Sequence, residues 1–222
     1  MLFDYLNNNF LSEPRLLAQT GGNSQRLHDL IEAQVVPAPS YRLDMSCKSH
    51  SFFGEHQERQ DLRFYSKGQV DWIKAIKSMG IEGEPQAKAY FLVRFEAAQQ
   101  AFFAGTLGQA LDELMPDLRN SISPAQFEET WGYFLDGTYG VCTRDNLPET
   151  IFLKQTGVRF IKYLTAITPE EMADRTKEVL RQTVDLLDSV EADFAPHEVS
   201  RSSRQRCILD VRQRYFEAGL PT

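Results

Sequence analysis

Two short helices separated by a glycine break are predicted near the start of this chain, and this pattern constrains the fold more than any other feature. Residues 11–20 carry Ser12 at the position of an N-cap and Pro14 in the first helical turn. A pair of glycines ends that helix. Asn23 caps a second helix, whose apolar residues recur at i, i+3 and i+4 up to Ile31. The pattern predicts a helix-turn-helix.

Two candidate strands and a third helix come next in the chain. Apolar and polar residues alternate in Tyr41–Met45 and in Leu62–Tyr65, as in half-buried strands, and the polar residues 46–61 between them are expected to form a loop. Residues 67–80 have the apolar spacing of a helix that ends at Gly80. Helix, turn, helix, hairpin and helix is the order of a winged helix, a shape that presents its second helix to DNA.

Helix signals dominate the remainder of the chain. Ser123 and Thr168 begin capping boxes with proline at the first helical position. The expected helices of a bundle span residues 85–104, 107–115, 124–135, 148–165, 169–190 and 200–217, after a first helix at Phe3–Phe10. The expected fold class is mainly α, with an N-terminal winged helix-turn-helix and a small β-hairpin over residues 1–80. An all-helical bundle domain is expected over residues 81–222. The expected core residues of the bundle are Trp131, Phe134, Phe152, Phe160, Leu180, Leu187, Ile208 and Val211.

Charge weighs against nucleic acid as the partner. The net charge is −7, and residues 1–80 contain nine Lys and Arg against nine Asp and Glu. Binding to nucleic acid depends on neutralising phosphates, so dedicated DNA-binding domains are usually basic. DNA is therefore possible but disfavoured, and a protein partner stays open. Three cysteines without framework spacing, an N-terminus unlike a signal peptide and no long apolar run favour a cytoplasmic protein without a membrane segment.

The N-terminal part resembles MerR-type regulators. Residues 62–76, LRFYSKGQVDWIKAI, are similar to the segment of those proteins that leads from the wing into the next helix, and residues 17–27 are similar to their first turn. The resemblance implies that the second helix reads DNA bases and that the hairpin approaches phosphates. The residues in those roles would be Ser24, Gln25, Arg26 and His28 on the helix, with Arg42 and Arg63 on the hairpin.

Two features depart from the MerR pattern: the second helix has His28 and Asp29 where those proteins have an arginine and an aromatic residue after the leucine, and the hairpin carries an unusually long insertion. Asp29 and Glu32 lie on the same helix and would come close to the DNA backbone, where like charges are costly. The alternative is a winged helix retained for packing or for binding a protein.

The whole chain also resembles a family of uncharacterised bacterial proteins that are sometimes labelled natural-product biosynthesis proteins. The segments that carry this resemblance are Val36–Leu43, Ser51–Gly54 and Phe134–Arg144. That label implies a pathway context and no defined reaction, so it does not select a mechanism.

Cys47, His50 and His56 form a candidate metal site. Thiolate and imidazole are ligands that zinc prefers, and three protein ligands with one open position suit a catalytic zinc. The spacing C-x2-H-x5-H matches no standard zinc motif. The alternative is a polar surface loop without a cofactor.

Tyr139, Cys142, Thr143 and Arg144 form a candidate ligand site between two aromatic helices. Their segment contains two glycines, which allow close backbone approach, and Arg144 could bind an anion. Cys142 could act as a nucleophile if a base lay near it. The alternative is a tight turn between helices with a structural cysteine.

Two further features concern partners. A group of arginines at the C-terminus could bind phosphate or pair with the acidic residues of the helix before it; its members are Arg201, Arg204, Arg206, Arg212 and Arg214. The helix over residues 85–104 carries an aromatic face that is either core or the interface of a homodimer; its members are Tyr90, Phe91, Phe95, Phe102 and Phe103.

These features are compatible with three classes of function. The first is a regulatory or binding protein whose winged helix meets DNA or protein and whose helical domain binds a small ligand. The second is a metal-dependent enzyme that uses Cys47, His50 and His56. The third is a non-catalytic structural partner in a biosynthetic pathway. The sequence contains none of the GxGxxG, GxxxxGK[ST], HExxH, GxSxG or CxxC motifs that would favour a nucleotide-binding protein or a hydrolase.

Overall fold

The computed structural model describes residues 1–116 and 123–217, which are mainly helical with a small antiparallel sheet. The first part contains α1 Leu2–Asn9, β1 Phe10–Ser12, α2 Glu13–Thr20, α3 Ser24–Glu32, β2 Tyr41–Ser51, β3 Gly54–Ser66 and α4 Gln69–Met79. The later helices are α5 Glu84–Ala104, α6 Thr106–Leu114, α7 Pro124–Leu135, α8 Thr138–Cys142, α9 Pro148–Leu164 and α10 Asp174–Val190. The C-terminal segment has a 3-10 turn at Val199–Arg201 and π-helical turns at Arg204–Leu209 and Gln213–Glu217 on either side of α11 Asp210–Arg212.

Local signals explain where most helices begin and end. The Asn23 side chain accepts a hydrogen bond from the backbone N–H of Arg26 at the start of α3. Gly21 and Gly80 end α2 and α4 in the left-handed conformation, with a φ of 63° in both cases, which glycine adopts without a Cβ penalty. Ser123 forms the predicted capping box at α7. These predictions are confirmed.

The sheet has the strand order β1-β3-β2, and both pairings are antiparallel. The β1 strand was not predicted, because three residues between two helices are too few for an alternating pattern. The prediction of a loop at residues 46–61 is wrong, since β2 and β3 stay paired from Tyr41↔Phe64 to Ser51↔Gly54. The outer half of this hairpin is exposed on both faces, so it lacks the apolar alternation that would have identified it as strand.

The predicted start of the helix at residue 169 is also wrong. Thr168 Oγ1 donates a hydrogen bond to Glu171 Oε2 at 2.9 Å, but this pair closes a turn rather than a helix. Met172 is then buried, and α10 begins at Asp174 after an extended Ala173. The capping pattern therefore identified a local turn correctly and placed the start of the helix too early.

One hydrophobic core runs from Leu11 to Tyr215 and includes residues on both sides of position 80. All eight core residues predicted from the sequence are buried. Phe91, Phe95 and Phe103 of α5 are buried as well, so the aromatic face considered for a homodimer is core. A smaller cluster of Leu6, Phe10 and Phe64 joins α1 to the sheet.

Trp72 of α4 connects the N-terminal elements to the later helices. Its indole Nε1 donates a hydrogen bond to the carbonyl oxygen of Val35 at 2.9 Å. Its ring packs edge-on against Phe134 of α7, with 4.9 Å between centroids, and also contacts Tyr90 and Phe91 of α5. The two parts of the chain are therefore joined through aromatic packing.

The two parts of the chain also come into close contact at two glycines. A Cβ atom at Gly68 would lie 2.3 Å from the carbonyl oxygen of Asp145, and a Cβ atom at Gly140 would overlap the Ser40 hydroxyl. Only glycine fits at these two contacts without moving a neighbour.

We predict that Gly68→Ala lowers the free energy of unfolding by about 2–3 kcal/mol, because the added methyl group must displace backbone at Asp145. The matched control is Gly132→Ala, on an exposed face of α7 with no atom near the added Cβ. That change should raise the free energy of unfolding by about 0.5–1 kcal/mol, because alanine favours helix. Urea denaturation of both variants measures the difference. Equal stability of the two variants would contradict the close contact.

Candidate functional site

Glu13, at the start of α2, gathers three of the residues predicted to contact DNA. Ser24 Oγ donates to Glu13 Oε1 at 2.6 Å, and His28 Nε2 lies 3.4 Å from Glu13 Oε2. Arg63 NH1 is 3.5 Å from the same oxygen and also contacts the His28 ring. Glu13 was not predicted as a site residue, since it lies eleven or more positions from each of these residues along the chain.

Glu13 is held in its charged form. Burial alone raises its pKa, but hydrogen bonds from Ser24 and His28, with a further one from the Tyr65 hydroxyl, outweigh burial and lower it overall. The same carboxylate raises the pKa of Tyr65, for which burial is the larger cause. Glu13 is therefore a negative charge fixed beside the helix expected to read DNA.

The other three predicted DNA contacts also face carboxylates of this chain. Gln25 donates to Asp29 at 2.8 Å. Arg26 lies 3.4 Å from Glu82, and Arg42 lies 3.4 Å from Asp61. Exposed pairs of this kind contribute only about 0.2–1 kcal/mol to stability. They nevertheless bring a negative charge next to every position at which a phosphate or a base was expected.

The outer part of the hairpin, residues 48–57, projects from the body of the protein; we call it the arm. All ten residues are exposed, on both faces of a two-stranded ribbon. Its two-residue turn consists of Phe52 and Phe53, whose side chains are 97% and 95% exposed and pack edge to face. Gly54 completes the turn with a φ of 111°. A ribbon of two strands is marginally stable alone in water, so the arm presents apolar rings at low intrinsic stability.

The candidate zinc ligands do not converge. Cys47 pairs with Glu58 and Ser49 pairs with His56, which puts Cys47 and His56 on one face of the ribbon. His50 is one position out of phase and lies on the opposite face. Within residues 1–116 and 123–217, no three His, Cys, Asp or Glu side chains are grouped to hold a metal ion. The zinc site stays a prediction without support from this geometry.

An apolar depression lies between the α2–α3 turn, α3 and the end of α4; we call it the groove. Its volume is about 310 Å³. Its apolar wall consists of Leu17, Leu27, Leu30, Ile73, Ile76 and Ile81. Arg26, Lys77 and Glu82 stand at its polar rim. This is the volume of a small ligand site. The groove was not predicted from the sequence, because its wall comes from three separate helices.

The candidate ligand residues Tyr139 to Arg144 are divided between two environments. Tyr139 is buried, and its hydroxyl accepts a hydrogen bond from Gln155. Burial raises the pKa of the Cys142 thiol, which disfavours the thiolate that a nucleophile requires. Thr143 and Arg144 line a cavity of only about 120 Å³ beside Lys67, too small for a typical organic ligand. The four residues do not surround one pocket.

A buried charge cluster near Cys142 was not predicted. Glu191, just after α10, is fully buried and lies 3.3 Å from Lys154 Nζ of α9. Ser203 Oγ donates to Glu191 and accepts a hydrogen bond from Lys154 at 3.1 Å. Burial raises the pKa of Glu191 despite these partners. The cluster ties α9, α10 and the C-terminal segment together.

Two of the C-terminal arginines pair with acidic residues of α10, which is one of the two alternatives expected from the sequence. Arg204 lies 2.8 Å from Asp188, and Arg212 contacts both Asp185 and Asp188 at 2.8 Å. These two guanidinium groups stabilise the contact of α10 with the C-terminal segment rather than forming an open anion site.

The fold defined by these features is a mainly helical protein with a small three-stranded antiparallel sheet. Comparison with known families identifies the family: the chain belongs to a family of unknown function (DUF6058), whose model matches residues 87–216. That match begins inside α5 and covers the later helices, leaving the sheet and the arm outside it. Neither a curated protein nor a solved structure matches the chain. In the part of the chain that the structure describes, no helix is both long enough and apolar enough to cross a membrane.

We predict that Glu13→Gln lowers the free energy of unfolding at neutral pH by about 1–2 kcal/mol, because it removes charge-assisted hydrogen bonds. The pKa of Glu13 is lower in the folded state, so the unfolded state binds more protons as the pH falls. The stabilisation is therefore present above the ordinary glutamate pKa of about 4.3 and disappears as the pH falls through the folded-state value.

Urea denaturation between neutral and acidic pH tests this prediction. The exposed Asp29→Asn is the matched control and should change stability by less than about 0.5 kcal/mol at any pH. A Glu13→Gln effect of constant size across the whole pH range would argue against a stabilising charge.

Proposed function

We propose that residues 1–80 form a winged helix that binds protein rather than reading DNA, and that the chain is a cytoplasmic binding protein. The single observation that carries the proposal is the pairing of all six expected DNA-contact residues with carboxylates of the same chain. Phosphate binding needs cations whose field is not already compensated.

The order of elements supports a winged helix. A helix and a short strand precede the helix-turn-helix, and that strand pairs with the second strand of the hairpin, giving the order β1-β3-β2. The hairpin then projects beside α3 as a wing. The short first strand extends the resemblance that the sequence carried at residues 10–80.

The arm supports a protein as the partner. Two exposed phenylalanines at the end of a projecting ribbon favour contact with an apolar pocket. The arm carries one lysine, Lys48, whose Nζ lies 2.7 Å from Oε2 of its one glutamate, Glu55. This gives no excess of positive charge to attract phosphate.

Retention of genomic DNA fragments at about 50 and 200 mM salt tests the first half of the proposal. We expect at most weak retention at the lower salt, none at the higher salt, and no enriched sequence. Arg26→Glu and its control Arg175→Glu should show the same DNA retention. Each variant replaces an exposed arginine that pairs with one glutamate, but only Arg26 lies on α3. A discrete sequence that survives the higher salt and is lost only in Arg26→Glu would overturn the proposal.

Photo-crosslinking tests the second half. Phe53 is replaced by a photoreactive phenylalanine analogue in cells that produce the chain, and the same analogue at the exposed Tyr163 serves as control. We expect a protein adduct specific to position 53 and resistant to nucleases. A nuclease-sensitive adduct, or equal adducts at both positions, would count against protein contact through the arm.

A further inference from the structure

A small cavity lies where the N-terminal elements meet the later helices; we call it the junction cavity. Its volume is about 120 Å³. Its wall includes Phe10 of β1, Lys67 of the β3–α4 turn, Thr143 and Arg144 after α8, and Asp193 after α10. We propose that the junction cavity binds the phosphate group of a small ligand, which Lys67 and Arg144 hold as its two cations. This site is separate from the arm and the groove, so the inference goes beyond the proposed function and does not depend on it.

Lys67 brings a cation to the junction cavity without an acidic partner. Its Nζ donates a hydrogen bond to the carbonyl oxygen of Asn8, near the end of α1, at 2.7 Å. This uncharged acceptor positions the ammonium group, which forms no ion pair in the part of the chain that the structure describes. Lys67 differs in this respect from the arginines expected to contact DNA, each of which faces a carboxylate.

Arg144 supplies the second cation from the side of the later helices. Its NH2 donates a hydrogen bond to the carbonyl oxygen of Asp188, in the last turn of α10, at 3.2 Å. Asp193 Oδ1 lies 3.7 Å from the same NH2, which is beyond hydrogen-bonding distance. Two cations therefore face one distant carboxylate, and the cavity has an excess of positive charge. The guanidinium fork and the lysine ammonium are both suited to phosphate oxygens.

The size of the junction cavity selects a small anion. A water molecule occupies about 30 Å³ in the liquid, so the cavity volume of about 120 Å³ corresponds to about four water molecules. A phosphate group, with four oxygen atoms around one phosphorus, has a similar size, whereas drug-sized ligands need about 300 Å³ or more. The side chains of Arg144 and Asp193 are about half exposed, so the cavity opens to solvent. Free phosphate and the phosphate of a small monoester therefore both fit.

The backbone beside the junction cavity is strained. Phe194, the residue after Asp193, is buried and has a φ of 59°. The left-handed conformation is unfavourable for a bulky residue, and such outliers are concentrated at ligand-binding and active sites. The N–H of Ala192 donates a hydrogen bond to the carbonyl oxygen of Cys142 at 3.3 Å, which fixes the same wall against α8. The wall of the cavity is therefore held in place before a ligand binds.

Calorimetric titration of the full chain with inorganic phosphate tests the proposal. The ionic strength is kept constant with sodium chloride, so that a general salt effect does not imitate binding. We expect one saturable site per chain. Phosphate should also raise the Tm relative to the same ionic strength of chloride, because a ligand that binds only the folded state stabilises it. A natural chain without saturable phosphate binding would overturn the proposal.

Substitution of the two cations locates the site. Lys67→Gln and Arg144→Gln should each weaken phosphate binding by about 10-fold or more, since each removes a charge-assisted contact. The matched controls are Lys74→Gln, at an exposed lysine of α4, and Arg175→Gln, at an exposed arginine of α10. Both controls should bind phosphate as the natural chain does. Equal binding by the cavity variants and their controls would show that the anion binds elsewhere.

Asp193→Asn keeps both cations and removes the negative charge that faces them. Asp193 is more than half exposed, so this variant should fold normally. We expect phosphate binding to tighten by about two- to fivefold, because a repulsive charge is lost. Roles of Lys67 and Arg144 limited to their contacts with helix ends predict no such change. Weaker binding by Asp193→Asn would indicate a ligand that carries a positive group and would overturn phosphate as the ligand.

A phosphate monoester distinguishes the two sources of the phosphate group. Glycerol phosphate and inorganic phosphate should compete for the same site in the titration. Tighter binding of glycerol phosphate would support a phosphorylated small molecule as the ligand, and tighter binding of the free anion would support inorganic phosphate. If both compounds bind Arg144→Gln as well as they bind the natural chain, the junction cavity is not their site and the proposal fails.

Discussion

The packing of Trp72 is the interaction on which the rest of the structure depends. Its indole satisfies the Val35 carbonyl after α3 and meets Phe134 of α7 and Phe91 of α5, so it touches both parts of the chain. A tryptophan buries a large apolar area, and its indole N–H needs a hydrogen-bond acceptor. The two requirements together fix the orientation of the ring and its distance from the neighbouring helices. The close backbone contact at Gly68 is possible only because this packing brings α4 against the later helices. The sheet and the arm are consequently held on a rigid helical body.

Carboxylates of the same chain dominate the electrostatics around α3. The helix-turn-helix expected here would suit DNA, but the polar groups of α3 face Glu13, Asp29 and Glu82. These pairs add little stability individually, yet each brings a negative charge to the surface that DNA would approach. The prominent surface features of the N-terminal part are instead apolar, namely the tip of the arm and the groove. Both features lie outside the residues that match the family of unknown function.

Local signals allowed most of the helices and the inner parts of β2 and β3 to be predicted, but not β1, the arm or the site. Asn23 and Ser123 cap helices through contacts within three residues, so their effect is visible in sequence. The arm escaped prediction because its exposed ribbon has no apolar period, and β1 because its pairing partner lies more than fifty residues away. Of the residues chosen for DNA contact, Ser24, His28 and Arg63 meet at Glu13. Their role could not be predicted, since Glu13 and Glu82 reach them only through the tertiary structure.

The amino-acid sequence was sufficient to predict the mainly helical class, the glycine break between two short N-terminal helices, the eight core residues of the later helices and the neutral charge of residues 1–80. Caps, glycine breaks and apolar periodicity are properties of neighbouring residues, so no tertiary information was needed for them. Three further features could not be predicted from local patterns: His50 lies opposite Cys47, Tyr139 and Arg144 face different environments, and three helices line a groove. Each of these depends on strand register or on contacts between distant segments, which local preferences do not specify.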